Sequence, residues 1–534
     1  EELEEPGATD RLNKIKHRLV EDGITSPQLI MPTPKGDEPT PQRRALEWLA
    51  DEDERQLAVS SHFLHERYAL ASFWFSTYDY AEKHEGKKDD GTPLPNWLST
   101  NNWMTSAPTC SWFGVHCEKG IDADGSVDEF NVTNNGIRGY VPEEFYKGLT
   151  DVKVFDVSHN LLNGTIADSI GHWPDLRLLY VNQNYFTGQL PGSIFSPLHK
   201  SKLEILDFGG NFLSVSVLAW DVATFVSAFL GFSSSRLIHH LAYPLSFHLS
   251  CIIMQGTIPN EIGDLDNLVR LALYENWLTG TISPFLANCK KLDTLYLDSN
   301  DLGGTIPPMV VSQLTELQDL RLRSNHLTGP IPSDVDNLSK LKLLYLDDNE
   351  LTSTIPASLG SLARLEEMHL YKNKLTGPLP SELGNLRYLT LLYLDSNQLD
   401  GPIPDSFGDL HSLQQLFLFN NRLTGSIPAS LYGIENVEEL RLNNNELSGS
   451  LPTEIGQLLK LRNLHLENNE FTGSLPHQMG NMDDLEELRI QNNGFTESFS
   501  EGGLDSICLL RDQSLAEFVS DCDEISCDCC SQCP

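Results

Sequence analysis

A chain of 534 residues that carries 37 lysines and arginines against 75 aspartates and glutamates has a formal net charge of −38. That balance excludes nucleic acid and an anionic membrane surface as expected partners and leaves basic or neutral ligands. Six of the ten cysteines crowd the last 27 residues, a placement that suits disulfides closing the end of a secreted chain.

The chain opens on Glu1, so a translated start, with any signal peptide or membrane anchor, is expected upstream. Residues 1–42 are acidic and then rich in proline (Pro27, Pro32, Pro34, Pro39, Pro41), and they are predicted to form a disordered linker. Residues 43–118 read as an N-terminal cap. Ala45, Leu46, Trp48 and Leu49, then Phe63, Leu64, Tyr68, Leu70, Phe73, Trp74 and Phe75, build the apolar faces of two helices. The cap closes on Cys110-Ser-Trp112-Phe-Gly114-Val115-His116-Cys117, where only His116 could join the cysteines around a metal, so no metal site is assigned. Asp122 to Glu129 hints at a calcium loop, but Gly120 and Asn131 stand where such a loop needs Asp and Glu, and a turn is expected instead.

From residue 119 to residue 500 one pattern recurs. Asparagines fall at Asn135, Asn160, Asn184 and Asn211, then at Asn276, Asn300, Asn325, Asn349, Asn373, Asn397, Asn421, Asn445, Asn469 and Asn493, mostly 24 residues apart, which makes fourteen copies. Leucine or a close substitute stands eight, five and three residues before each asparagine and two after it, usually followed by Gly-x-Ile/Leu-Pro, as in Leu327, Gly329, Ile331 and Pro332. One copy is too short to bury its own leucines, whereas stacked copies share a continuous core. Each copy is therefore predicted to give a short parallel strand with leucines inward, as in Leu295-Tyr296-Leu297. The asparagine should turn inward and satisfy backbone groups at the bend. Asp207-Phe208-Gly209 spells a kinase metal-binding triplet, but it lies in this repeat register and no glycine-rich or HRD loop accompanies it.

These residues resemble the plant-type leucine-rich repeat, LxxLxLxxNxLxGxIP, and Cys110 to Cys117 resembles the cysteine-paired cap that precedes such repeats in receptor-like kinases and cell-wall inhibitor proteins. The resemblance implies an α/β leucine-rich repeat solenoid, a right-handed superhelix with a concave parallel sheet, an α-helical N-terminal cap and a Cys-rich C-terminal cap. It also implies a disulfide between Cys110 and Cys117. The cap is longer and more acidic than the land-plant version, which points to algal relatives.

Asn211 and Asn276 are 65 residues apart, an excess of 41. Deleting residues 215–255 restores both the period and the motif, reading Asn211-Phe-Leu-Ser-Gly256-Thr-Ile-Pro259. The leading reading of this insertion is a retained intron translated in frame; a genuine loop and a membrane segment, from the mostly apolar run at 212–232, are the rivals. Beyond the array, residues 501–534 should form the C-terminal cap, with an amphipathic helix from Ile507 to Val519 and disulfides among Cys508, Cys522, Cys527, Cys529, Cys530 and Cys533. Zinc on Cys527, Cys529, Cys530 and Cys533 is the alternative for a reducing compartment.

Outward-facing strand positions are free of the core and can report on ligands. Four residues before the asparagine stand Tyr296, Arg321, Tyr345, His369, Tyr393, Phe417, Arg441, His465 and Arg489; two before it stand Tyr274, Asp298, Arg323, Asp347, Tyr371, Asp395 and Phe419. With rungs about 4.8 Å apart, these make one strip of aromatic and charged groups, the composition of protein interfaces. Tyr296, Arg321, Tyr345, His369, Tyr371, Tyr393, Phe417, Phe419 and Arg441 are the candidate ligand-binding residues. No catalytic residue, cofactor or phosphate loop is assigned, because no nucleophile and base recur at a fixed offset. Asn131, Asn163 and Asn337 are candidate glycosylation sites. The expected function is that of a non-catalytic, receptor-like module at the cell surface or outside the cell. It would bind a protein, peptide or glycan along the concave face, with signal transduction left to a co-receptor or a further segment. The alternatives are a secreted wall or matrix protein, or inhibitor of polysaccharide hydrolases, and the ectodomain of a receptor kinase whose kinase domain lies elsewhere.

Overall fold

The computed structural model describes residues 9–34, 37–84, 97–118, 126–196, 202–213, 256–496, 503–510, 514–521 and 529–532. The insertion at 215–255 and the acidic loop at 122–125 lie outside the described residues. Two compact units divide the chain, Glu1–Gly280 and Thr281–Pro534.

In the first unit a short strand, Val115–Cys117, pairs antiparallel with Val127–Asn131. Val127–Asn131 then starts a parallel ladder through Val154–Asp156, Leu178–Tyr180, Ile205–Asp207 and Arg270–Ala272. The last two strands pair directly, Leu206 opposite Leu271, although the insertion separates them in sequence. Asn276 Nδ2 continues the asparagine ladder across the same gap by donating to the Phe208 carbonyl at 3.0 Å.

The cap is built on the helix Phe63–His84, which packs against the helices Pro41–Glu47 and Glu143–Gly148. Contacts on several sides bury Leu64, Tyr68, Ala69, Leu70, Ala71 and Phe73 completely. Phe73 is the centre of an aromatic cluster with Trp97, Trp103, Phe130 and Phe145 at centroid distances of 5.1–6.3 Å. Arg67, wholly buried, bridges this helix to the following loop. Its Nε and Nη2 donate to Asp53 at 2.6 and 2.7 Å, its Nη1 donates to the Ala107 carbonyl at 3.0 Å, and its guanidinium lies over Trp48 and Trp112. Cys110 and Cys117 are disulfide-bonded just beyond that loop.

The linker expected at the N-terminus is corrected in part. Asp10–Glu21 is a helix capped by Thr9, whose Oγ1 accepts from the Leu12 amide, and it buries Leu12, Ile15 and Leu19. These stand at helical spacing, a signal hidden by the charged and proline-rich composition around them. Thr25 Oγ1 and Gln42 Nε2 then donate to the buried Glu144 carboxylate at 2.8 and 3.0 Å, which anchors the segment to the helix of the first repeat.

The second unit is more regular. Strands from Thr294–Tyr296 to Glu487–Arg489 pair in parallel with no shift of register, so that Leu295, Leu320, Leu344, Met368, Leu392, Leu416, Leu440, Leu464 and Leu488 form one buried row. The motif asparagines do what the bend requires. Asn349 Nδ2 donates to the carbonyls of Leu322 and Leu346, and its Oδ1 accepts from the Leu327 amide at 3.0 Å. The residue before each of these asparagines is left-handed, as at Ser324, Asp348 and Lys372. A second set of short parallel strands, such as His326–Gly329 and Arg422–Gly425, follows the asparagine. The stretch before the next strand is a 3-10 turn in most repeats and α-helical at Pro308–Gln313.

At the C-terminus the helix covers Gly503–Leu510 and stops short of Val519. Glu517–Val519 is instead a strand, the last rung of the sheet, in which Phe518 enters the core row opposite Leu488 and Val519 is buried beside it. Cys508 and Cys529 are joined as a disulfide and Cys530 is also disulfide-bonded, which removes the zinc alternative for this cluster. Among the described residues no helix is long and apolar enough to cross a membrane.

Candidate recognition face

The unbroken register of the second unit puts the outward residue at the last position of each strand directly over its equivalent. Tyr345 pairs with Arg321 on one side and His369 on the other, and the row continues through Tyr393, Phe417, Arg441, His465 and Arg489. The rungs lie close enough for the side chains to stack. Tyr345 lies on His369 with centroids 4.3 Å apart and planes 12° apart, His369 on Tyr393 at 4.5 Å, and Tyr393 on Phe417 at 4.4 Å and 10°. The stack is closed at both ends by cations: Arg321 sits between Tyr296 and Tyr345, and Arg441 lies 4.7 Å over Phe417.

The expectation that these side chains stand free in solvent is therefore corrected. They are half-buried, and the neighbours above and below occupy the ring faces. Ring edges remain to meet a ligand, and an aromatic edge carries the positive part of the quadrupole.

A third row, unnoticed in the sequence, holds the phenols in place. Two residues before Arg321, His369, Phe417, Arg441 and Arg489 the strands carry Asp319, Glu367, Gln415, Glu439 and Glu487, whereas Tyr296, Tyr345 and Tyr393 follow Thr294, Leu343 and Leu391. The hydroxyls of Tyr296, Tyr345 and Tyr393 donate to Asp319, Glu367 and Gln415 of the next rung. Arg321 and Arg441 pair with Asp319 and Glu439 of their own strands, each at 2.8 Å. The position six residues before the asparagine is acidic or amide except in the rungs that carry Tyr296, Tyr345 and Tyr393, so each tyrosine takes its partner from the next rung, and only the stacked geometry gives the row that role.

The row two residues before the asparagine lies deeper. Asp298, Asp347 and Asp395 are 5%, 1% and 5% exposed, although they occupy outward positions. Burial pushes the carboxyls of Asp347 and Asp395 up to about 6. Tyr371, between them in the row, hydrogen-bonds Asp347, and its ring meets that of Tyr393 edge-on at 6.4 Å. Arg323 Nε approaches Asp298 at 3.6 Å. Burial, with Arg323 and Arg321 adding to it, lowers His369 to about 4, so the stack holds a neutral imidazole at neutral pH. Phe419 continues the row beside Phe417. Beyond it come Asn443, Glu467 and Gln491, and here the aromatic character ends.

Of the sequence candidates, all nine from Tyr296 to Arg441 fall on this one face. Tyr274 belongs to the first unit, where it packs over Gly209. The glycosylation candidates differ in exposure: Asn337 is exposed on a 3-10 turn, whereas Asn131 and Asn163 lie partly buried in strands.

The comparisons with known proteins agree with this architecture. Leucine-rich repeat family models match residues 316–338, 339–399, 387–447 and 460–482. Receptor-like protein 41 of Arabidopsis thaliana is 27% identical over 227 residues, which cover 40% of this chain and 25% of that protein. Among solved structures, a TDR receptor superposes with a TM-score of 0.57 at 26% identity, covering 73% of this chain and 63% of that one. The plant peptide hormone receptor RGFR1, solved in complex with RGF2, gives 0.53 at 27% identity over 77% and 71%. The repeats are leucine-rich repeats of the plant type, and the proteins they resemble are receptor-like proteins and receptor ectodomains. The chain spans a quarter or less of the length of the first curated relatives it matches.

Proposed function

We propose that this chain is a non-catalytic, receptor-like recognition module that binds an extended peptide along the open sheet face of residues 281–534. The observation that carries the reading is the continuous stack from Tyr345 to Phe417, closed by Arg321 at one end and Arg441 at the other. Its exposed edges and cations complement backbone carbonyls, and rigid aromatic side chains give contact area at low entropic cost. RGFR1, one of the structures it resembles, is a peptide hormone receptor. The end disulfides support an extracellular or cell-surface location, with any membrane anchor, glycosylation and co-receptor contact supplied by the whole protein.

The test is a screen of secreted peptides against the full chain, followed by affinity measurements on Tyr345→Ala, Tyr393→Ala, Phe417→Ala and, away from the face on a 3-10 turn, Glu382→Ala. Truncating a central ring should weaken binding by on the order of 2 kcal/mol or more, while Glu382→Ala leaves it unchanged. Equal affinities in all four variants would overturn the assignment.

A further inference from the structure

Where the long cap helix meets the first repeat, three side chains of metal-binding type converge. His62 immediately precedes the helix Phe63–His84, Glu66 lies one turn later, and Asp151 comes from the turn after the helix Glu143–Gly148. One ligand atom from each lies within 4.8 Å of the other two. We propose that His62, Glu66 and Asp151 hold one divalent transition-metal ion, zinc or manganese, that ties the cap helix to the first repeat.

The site is fixed from both sides. Glu66 is 1% exposed, and its Oε1 accepts from the Val127 amide and from Ser126 Oγ at 3.3 and 3.1 Å, so its carboxylate is held in one orientation. The turn carrying Asp151 is pressed on the helix through Gly148, where a Cβ would stand 2.6 Å from the Ala69 side chain and 2.8 Å from the His65 carbonyl. Only glycine permits that approach, and the approach is what brings Asp151 to Glu66. Two carboxylates this close repel one another, and a dication offsets the repulsion. Neither His62 nor Asp151 makes a hydrogen bond or ion pair with another described residue. Both are exposed, so they have the freedom to close the short remaining distance to ligands about 2.0–2.2 Å from a common ion.

The donor set chooses the metal. One imidazole with two carboxylates suits zinc or manganese, whereas magnesium and calcium prefer oxygen alone. Three protein ligands leave further coordination positions for water. The expected consequence is mechanical: binding should tighten the junction between cap and repeat.

The experiment uses the full chain stripped with EDTA, titrated with zinc chloride by calorimetry, and followed by hydrogen exchange in peptides spanning 60–75 and 146–153. The tightest class should hold one zinc per chain and slow exchange in both segments, with calcium at least tenfold weaker. His62→Ala and Asp151→Asn, both at exposed positions, should each weaken that class at least tenfold and remove the added protection. Glu66→Gln, which keeps the shape and an acceptor for Val127, should do the same. Zinc that leaves exchange in both segments unchanged, or variants that bind it as tightly as the parent, would overturn the proposal.

Discussion

The cap of the first unit and the repeats of the second bury their apolar residues in opposite ways. The cap packs unlike groups around single centres: Phe73 amid four aromatic rings, and Arg67 between two tryptophans with Asp53 as its carboxylate partner. The repeats pack the same contact again and again, a leucine on a leucine at every rung but that of Met368, and an asparagine amide on the carbonyls below. A unique contact has no substitute when it is lost, whereas a repeated one is shared among nearest neighbours. Mutational cost should therefore concentrate in the cap and spread out in the array.

The largest effect is expected at Arg67. Arg67→Ala leaves Asp53 buried without its partner and should cost about 3–5 kcal/mol, read as an early transition of the cap in denaturant. A cost below about 1 kcal/mol would break the contrast. Leu394→Ala should come next, at about 2–5 kcal/mol for a cavity in the leucine row. Because repeats couple chiefly to neighbours, hydrogen exchange should rise around residues 370–420 and stay unchanged in the cap; a loss spread evenly over the chain would contradict the separation.

Asp347 sharpens the comparison from within the array. Its native carboxyl titrates near 6, above the ordinary unfolded value of about 3.9, so the folded chain takes up the proton first. Its burial costs stability above pH 6, and the cost fades as pH falls towards 4. Asp347→Asn should therefore stabilise by about 1–3 kcal/mol at pH 7.5 and by nothing near pH 4. His369 works the other way. Held neutral with a value near 4, it contributes stability above pH 6.5 that is lost on descending from 6.5 through 4. The Asp347→Asn difference, taken pH by pH, removes that shared background; a variant less stable than the parent at pH 7.5 would reverse the sign.

The smallest effect is at Ser353. It occupies the slot that glycine fills in neighbouring repeats, at a φ of 69° against 76° for both Gly329 and Gly377. A side chain in that left-handed conformation costs about 1 kcal/mol, which Ser353→Gly should recover in local exchange protection.

The repeat, its register and the residues sharing the open face are all readable in the amino-acid order. Those follow from a local pattern present in fourteen copies, nine of them, from Asn300 to Asn493, at nearly constant spacing, where each copy confirms the last. The Cys110–Cys117 bond was implied by the resemblance of that single motif to a cysteine-paired cap, and the structure forms it. That the tyrosines stack face to face and turn their edges outward emerges with packing, because it depends on the rung spacing and on the carboxylate or amide oxygen that anchors each hydroxyl. Packing also decides that Asp347 is buried at an outward position, since Tyr371 and its neighbours cover it, and that Phe518 supplies a final rung. The cap was least legible. The contacts of Glu144 with Thr25 and Gln42, and of Glu66 with Asp151, join residues far apart in the chain with no second copy to reveal the pattern, so they exist only once the helices have packed.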